Sequence, residues 1–277
     1  MKKFILLSVI AVLSACGGDT PQEAGNNSGG NQPQEFETIV AGGTTISVDV
    51  LQATAPFLEE RGFILETIEF DDFNLPNMAL ADGDLDVNFF QHRPFLDNFN
   101  YVHGTDLVTV LGVYFVPLRL YAGQSYDLNN IPYGATIVVP DDLTNEARAM
   151  LLLESLDLIE LEPGHGLSTT SAHITYNPHG LQITPMAANI IAGVLPDVDF
   201  GIINGIFALN AGVAYRAVEG AGERPGSQEA ITFTNYVVVR AGDENLPSVQ
   251  ALVEAMQQDS VREFIYSEFE GTVIPLF

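Results

Sequence analysis

Thr136-Ile137-Val138-Val139-Pro140-Asp141-Asp142-Leu143-Thr144-Asn145-Glu146-Ala147-Arg148 is the stretch that decides how this chain folds. Thr136 to Val139 is an apolar, β-branched strand that runs directly into a helix over Thr144 to Ser155, with Thr144 in the position of an N-cap. Reading outward, strand and helix keep alternating. Towards the C-terminus the order is strand Leu181–Thr184, helix Ala187–Leu195, strand Val198–Ile203 and strand Asn235–Arg240. Helical segments around Val249–Met256 and Val261–Phe269 close the chain. Towards the N-terminus, Glu37–Ala41 reads as a strand, Gly42-Gly43-Thr44 as a tight turn, and Val48–Glu60 as a helix stopped at Arg61-Gly62. Strand Phe63–Phe70, helix Leu75–Ala81 and strand Leu85–Phe90 follow. Leu107–Tyr121 is a β-rich run long enough to cross between two lobes. Such alternation predicts an α/β protein of mostly parallel sheets flanked by helices.

The composition excludes several classes of function. Of 277 residues, 36 are acidic and 10 basic, a net charge of -26, which leaves no basic surface for nucleic acid. With 47% hydrophobic and 17% charged residues, the chain has the apolar content to bury a core and is not a disordered acidic chain. A run of 18 apolar residues, as a membrane-spanning helix needs, is missing from the sequence. Residues 1–15 instead read as a lipoprotein signal peptide: Lys2 and Lys3 precede the apolar run Phe4–Leu13, which ends in Leu13-Ser14-Ala15-Cys16. Cys16, the only cysteine, then becomes the lipidated N-terminus. The alternative, an ordinary secretory signal, leaves an exposed thiol without a partner. Cleavage removes both lysines and no acid, leaving 8 Arg against 36 acids, a net of -28. Residues 16–35 join Cys16 to a Gly, Asn, Gln, Ser and Pro tether whose eighteen residues Gly17–Gln34 span about 25 Å on average.

In α/β sheets ligands gather beyond the carboxyl ends of strands, so the polar residues placed there are the candidates. Asn145 and Arg148 lie three apart on one face of the helix whose start favours an anion, and the Arg fork matches a carboxylate. A surface Arg148 paired with Glu146 or another acid fits the spacing equally well. Asn204, after Val198–Ile203, offers both a donor and an acceptor, or simply ends a strand. Asn235 sits at a strand start with the same two readings. Phe90, His92 and Phe95 cluster at another strand end and Phe73 follows a separate strand; they either line a pocket for an apolar side chain, for which a thioether is a good guest, or belong to the core. His165, His173 and His179 are spaced for no compact metal motif, and neither a metal nor another cofactor is expected. G-x-S-x-G, the P-loop and H-E-x-x-H are all missing from the sequence.

Taken in order and spacing, Phe70-Asp71-Asp72-Phe73 with Leu75-Pro76-Asn77, Gly83 to Asn88, Phe90 to Leu96, Pro140 to Arg148, Asn177-Pro178, Val198 to Asn204 and Asn235 to Arg240 resemble the NlpA/MetQ family of substrate-binding lipoproteins over residues 36–277. The resemblance implies a two-lobed periplasmic-binding-protein fold, with lobe one at 36–115 plus 236–277 and lobe two at 118–232. It also implies a lipid-anchored protein on the extracytoplasmic face of the cell membrane, palmitoylated at its cysteine. Such a protein captures methionine or a close relative and delivers it to an ABC permease without transforming it. By the same resemblance Arg148 and Asn145 meet the ligand carboxylate, Asn204 and Asn235 hold its other backbone groups, and Phe73, Phe90, His92 and Phe95 surround its side chain. Phe73 and Phe95 stand where the family commonly has tyrosines. That leaves room for another apolar amino acid or a methionine-containing dipeptide, while a lipid-anchored enzyme or an adhesin on the same fold is the rival class. Arg119 falls where relatives prefer small or apolar residues.

Overall fold

The computed structural model describes residues 36–269 and 272–277; the expected signal peptide, the expected lipidation at Cys16 and the expected tether lie outside the described residues. The described residues begin with β1 (Glu37–Gly43), α1 (Thr45–Gln52), α2 (Ala55–Glu60), β2 (Phe63–Glu69), α3 (Leu75–Asp82), β3 (Val87–His92), α4 (Arg93–His103) and β4 (Leu107–Phe115). After Val116-Pro117 it enters a second series: β5 (Leu118–Ala122), β6 (Thr136–Pro140), α5 (Leu143–Ser155), the short antiparallel pair β7 (Glu160–Leu161) and β8 (Ile174–Tyr176), and β9 (Gln182–Met186). This series ends with α6 (Ile191–Val194), β10 (Phe200–Asn204), α7 (Gly205–Asn210), β11 (Ala217–Gly222) and α8 (Gln228–Thr232). The chain returns through β12 (Thr234–Arg240), α9 (Pro247–Met256), α10 (Asp259–Glu268) and β13 (Ile274–Pro275).

Besides the β7–β8 pair, the described residues form two larger sheets, one in the order β13-β4-β12-β3-β1-β2 and one in the order β11-β5-β10-β6-β9. Both are mixed. β1 to β4 share one direction while β12 and β13 oppose them, and β5 alone opposes its sheet. The reversals of β5 and β12 have a topological cause. β5 and β12 are the strands into which the chain crosses, so they start where β1, β3, β6 and β10 end, and a strand that starts there runs antiparallel to its neighbours.

Burial follows from this layering. All six residues of β3 are buried. On β6, Ile137 and Val139 pack into a core with Leu120, Met150, Leu153 and Phe200, while Val138 packs on the opposite face with Tyr121 and Ile203. A strand covered on both faces needs no polar alternation, which is why Ile137-Val138-Val139 reads as continuous apolar sequence.

Three local expectations change. Gly42 and Gly43 belong to β1 and not to a turn. A Cβ on Gly43 would sit 2.5 Å from the Phe89 carbonyl oxygen and 2.8 Å from Ser47 Cβ, so the glycine serves close approach of β1 to β3 and α1. The helix expected over Val48–Glu60 is two helices, because Thr54 Oγ1 donates to the Leu51 carbonyl (2.6 Å) and Pro56, without an N–H, starts α2. The segment Ala187–Leu195 is α-helical only over Ile191–Val194, flanked by 3-10 turns, the second of which contains Pro196.

Candidate functional site

The junction between β6 and α5 builds one wall of the site. Asp142, not Thr144, is the N-cap: its carboxylate accepts the Asn145 N–H at 3.0 Å and the Thr144 hydroxyl at 3.1 Å. The same carboxylate accepts from Asn145 Nδ2 at 2.9 and 3.1 Å. This fixes the amide so that Asn145 Oδ1 faces the other way. There it accepts from Arg148 Nη1 (3.0 Å), Asn204 Nδ2 (3.1 Å) and His92 Nε2 (3.4 Å). One carbonyl oxygen therefore ties together α5, the end of β10 and the end of β3.

Two consequences are electrostatic. His92 is the N-cap of α4 and its Nδ1 accepts the Phe95 N–H at 3.2 Å, so in the neutral ring the proton sits on Nε2 and points at Asn145. Burial first, and the Arg148 charge second, push the His92 pKa down to about 3, which keeps the ring neutral. Asn204 spends its Nδ2 on Asn145, and its Oδ1 is buried with no hydrogen-bond partner. An unpaired buried acceptor costs about 1–3 kcal/mol, a cost that a ligand donor relieves.

Arg148 is not a surface residue, and its acid is not Glu146. Its Nε donates to Glu223 Oε1 at 2.8 Å and its Nη2 to Glu223 Oε2 at 2.5 Å, with side-chain exposures of 3% and 6%. The guanidinium carbon also lies 4.1 Å over the ring of Phe233. Glu146 is engaged elsewhere, accepting from the Ser171 N–H and hydroxyl.

Aromatic rings close the opposite side. Phe73 lies 6.0 Å from Phe90 and from Phe95 and 4.9 Å from Phe207, centroid to centroid. Asn235 stands beside His92 and Tyr114 on neighbouring strands. Thus Phe73, Phe90, His92, Phe95, Asn145, Arg148, Asn204 and Asn235 line a single cavity of about 450 Å³, counting the part open to solvent. Thr44, Gln91, Tyr114, Val116 and Ile206 line it as well, unforeseen from sequence. Thr44 follows β1 directly, where the strand-end rule that found Asn204 applies, and reading Gly42-Gly43 as a turn concealed it. Glu223 carries no local signal, since it meets Arg148 from 75 residues away.

Arg119 and the loop histidines do not line the cavity. A Cβ on Gly222 would lie 2.6 Å from Arg119 Cγ, so this glycine leaves space for the arginine stem. The rings of His165 and His173 lie 3.9 Å apart, tilted by 32°. No cluster of His, Cys, Asp and Glu fit to hold a metal occurs among the described residues, and none of their helices is long and apolar enough to cross a membrane.

Two helix-flanked α/β sheets joined by two chain crossings, with a cavity at the strand ends, define the class of two-lobed binding proteins. The chain belongs to the NlpA lipoprotein family, whose model matches residues 40–277. It is 37% identical to outer membrane lipoprotein 3 of Mannheimia haemolytica over 81% of this chain and 84% of that one. It is 30% identical to the probable D-methionine-binding lipoprotein MetQ of Pasteurella multocida, covering 97% of this chain and 95% of that one. Among solved structures it resembles a nutrient binding protein from Burkholderia cenocepacia bound to methionine, with a TM-score of 0.81 at 35% identity, over 86% of this chain and all of that one.

Proposed function

We propose that this chain is a lipid-anchored, extracytoplasmic binding protein that captures methionine or a close relative and hands it unchanged to an ABC permease. The observation that carries the reading is the unpaired Asn204 Oδ1 in the same cavity as Arg148 and a phenylalanine wall. An amino acid supplies all three complements at once: an ammonium for the oxygen, a carboxylate for the guanidinium, and an apolar side chain for the rings. Arg148, oriented by Asn145 Oδ1, takes the carboxylate, Asn204 and Asn235 the other backbone groups, and Phe73, Phe90, His92 and Phe95 the side chain. The relatives named for methionine support this assignment.

Lobe one comprises 36–115 and 236–277 and lobe two 118–232, with the two crossings as hinge, and ligand closes one lobe on the other. Cys16 carries the lipid. An enzymatic role is disfavoured by His92, whose nitrogens are committed to the α4 cap and to Asn145 and which is held neutral. The test is mass spectrometry of ligand released from denatured purified protein, followed by calorimetric titration of the stripped protein. Methionine or a close relative recovered intact is the expected result. A folded protein that releases no amino acid and binds none sinks the proposal.

A further inference from the structure

The Arg148–Glu223 pair has a feature that the carboxylate-receptor reading does not use. Glu223 occupies the Nε/Nη2 edge of the guanidinium with both oxygens, while Nη1, held by Asn145 Oδ1, lies on the side of Asn204. Glu223 is itself immobilised. Its Oε2 accepts the Leu118 N–H at 2.8 Å and its own N–H donates to the Leu118 carbonyl at 3.0 Å, at the first residue of β5, just after the chain has crossed. Phe233, at the second crossing, covers the guanidinium face. Arg148 is the one charged side chain lining the cavity, since His92 is held neutral, and Glu223 cancels its charge from behind.

Resting on the amino-acid reading above, we propose that Glu223 is a positioning and selectivity residue. It aims the Nη edge of Arg148 at the ligand carboxylate, and by neutralising Arg148 it makes the cavity select zwitterions over simple anions. A carboxylate alone meets a guanidinium whose field is already compensated, and feels the Glu223 charge behind it as repulsion. A zwitterion adds an ammonium, which pairs with Asn204 Oδ1 and is attracted by the same Glu223 charge. Discrimination against anions therefore resides in a residue outside the cavity lining.

The experiment is calorimetric titration of wild type, Glu223→Gln and Glu223→Asp with L-methionine and with its 2-keto acid, which keeps the side chain and carboxylate and lacks the ammonium. Wild type is expected to prefer methionine. In Glu223→Gln the preference should shrink at least tenfold, because losing the buried negative charge helps the anion and not the zwitterion. In Glu223→Asp the preference should survive while methionine affinity falls about tenfold or more, because the shorter carboxylate cannot reach both Leu118 N–H and the guanidinium. Proportional weakening of both ligands in Glu223→Gln, the signature of a merely structural role, overturns the selectivity claim. Unchanged methionine affinity in Glu223→Asp overturns the positioning claim and is informative even if Glu223→Gln fails to fold. Failure of wild type to bind either ligand tells against the amino-acid reading itself.

Discussion

Removing Arg148 should damage two things at once, and the structure allows them to be separated. The side chain makes three charge-assisted or polar bonds, two to Glu223 and one to Asn145, at 3% side-chain exposure. Arg148→Ala strands the Glu223 carboxylate, 6% exposed, without its counter-ion. Breaking a buried pair from one side typically costs about 3–5 kcal/mol. For a domain of this size that corresponds to a fall in Tm of about 6–20 °C. Binding should be lost as well, because one half of a buried carboxylate pair is worth about 2–5 kcal/mol, roughly 30-fold to several-thousandfold in affinity. The double variant Arg148→Met with Glu223→Met removes both charges, keeps a methylene stem against Phe233 and leaves no stranded ion. It should recover part of the stability, because the Leu118 N–H loses its Glu223 acceptor, and none of the binding. The assay is urea unfolding in parallel with calorimetry of L-methionine on the two variants. Wild-type methionine affinity in the folded double variant would place the carboxylate elsewhere, and an unchanged unfolding midpoint in Arg148→Ala would refute the claim that the pair is buried and coupled.

Three further expectations follow from the same observations. Cys16→Ser should move the protein from the membrane fraction to the soluble fraction on cell fractionation, and retention in the membrane would mean a different anchor. Methionine sulfoxide should bind more weakly than methionine by about 1–3 kcal/mol in competition calorimetry, with leucine intermediate, because Phe73, Phe90 and Phe95 offer its oxygen no donor; a sulfoxide that equals methionine would show a polar group, most naturally His92 Nε2, at the side-chain end. His92 has its pKa lowered from 6.5 to about 3 on folding, so its contribution to stability is complete above about pH 6.5 and is lost as pH falls towards 3. The unfolded chain takes up the proton first, at a total cost of at most about 5 kcal/mol. His92→Asn, which can keep the α4 cap, should flatten the stability profile between pH 6.5 and 4.5 in denaturant titrations, and a slope equal to wild type would assign that pH dependence to other groups.

The sequence carried the elements and the strand-end residues, because both are written in local chemistry. Ile137-Val138-Val139 is apolar without alternation since both faces of β6 are covered, and Asn204 announces itself as the polar residue that ends such a strand. Those local signals only mark candidates, and the family resemblance carried by the order and spacing of the motifs selects the eight side chains that line one cavity. Even close at hand, competing local chemistry misled: Thr144 looks like a cap, yet Asp142 has the carboxylate that reaches the Asn145 N–H. What the tertiary structure alone decided is pairing across long separations. The direction of β5 and β12 depends on where the chain crosses, and the partner of Arg148 depends on which acid the second sheet brings behind it. With 36 acids in the chain, spacing cannot single out Glu223. Only the packing of β11 against β5, which delivers Glu223 to Leu118 and to the guanidinium together, makes that choice.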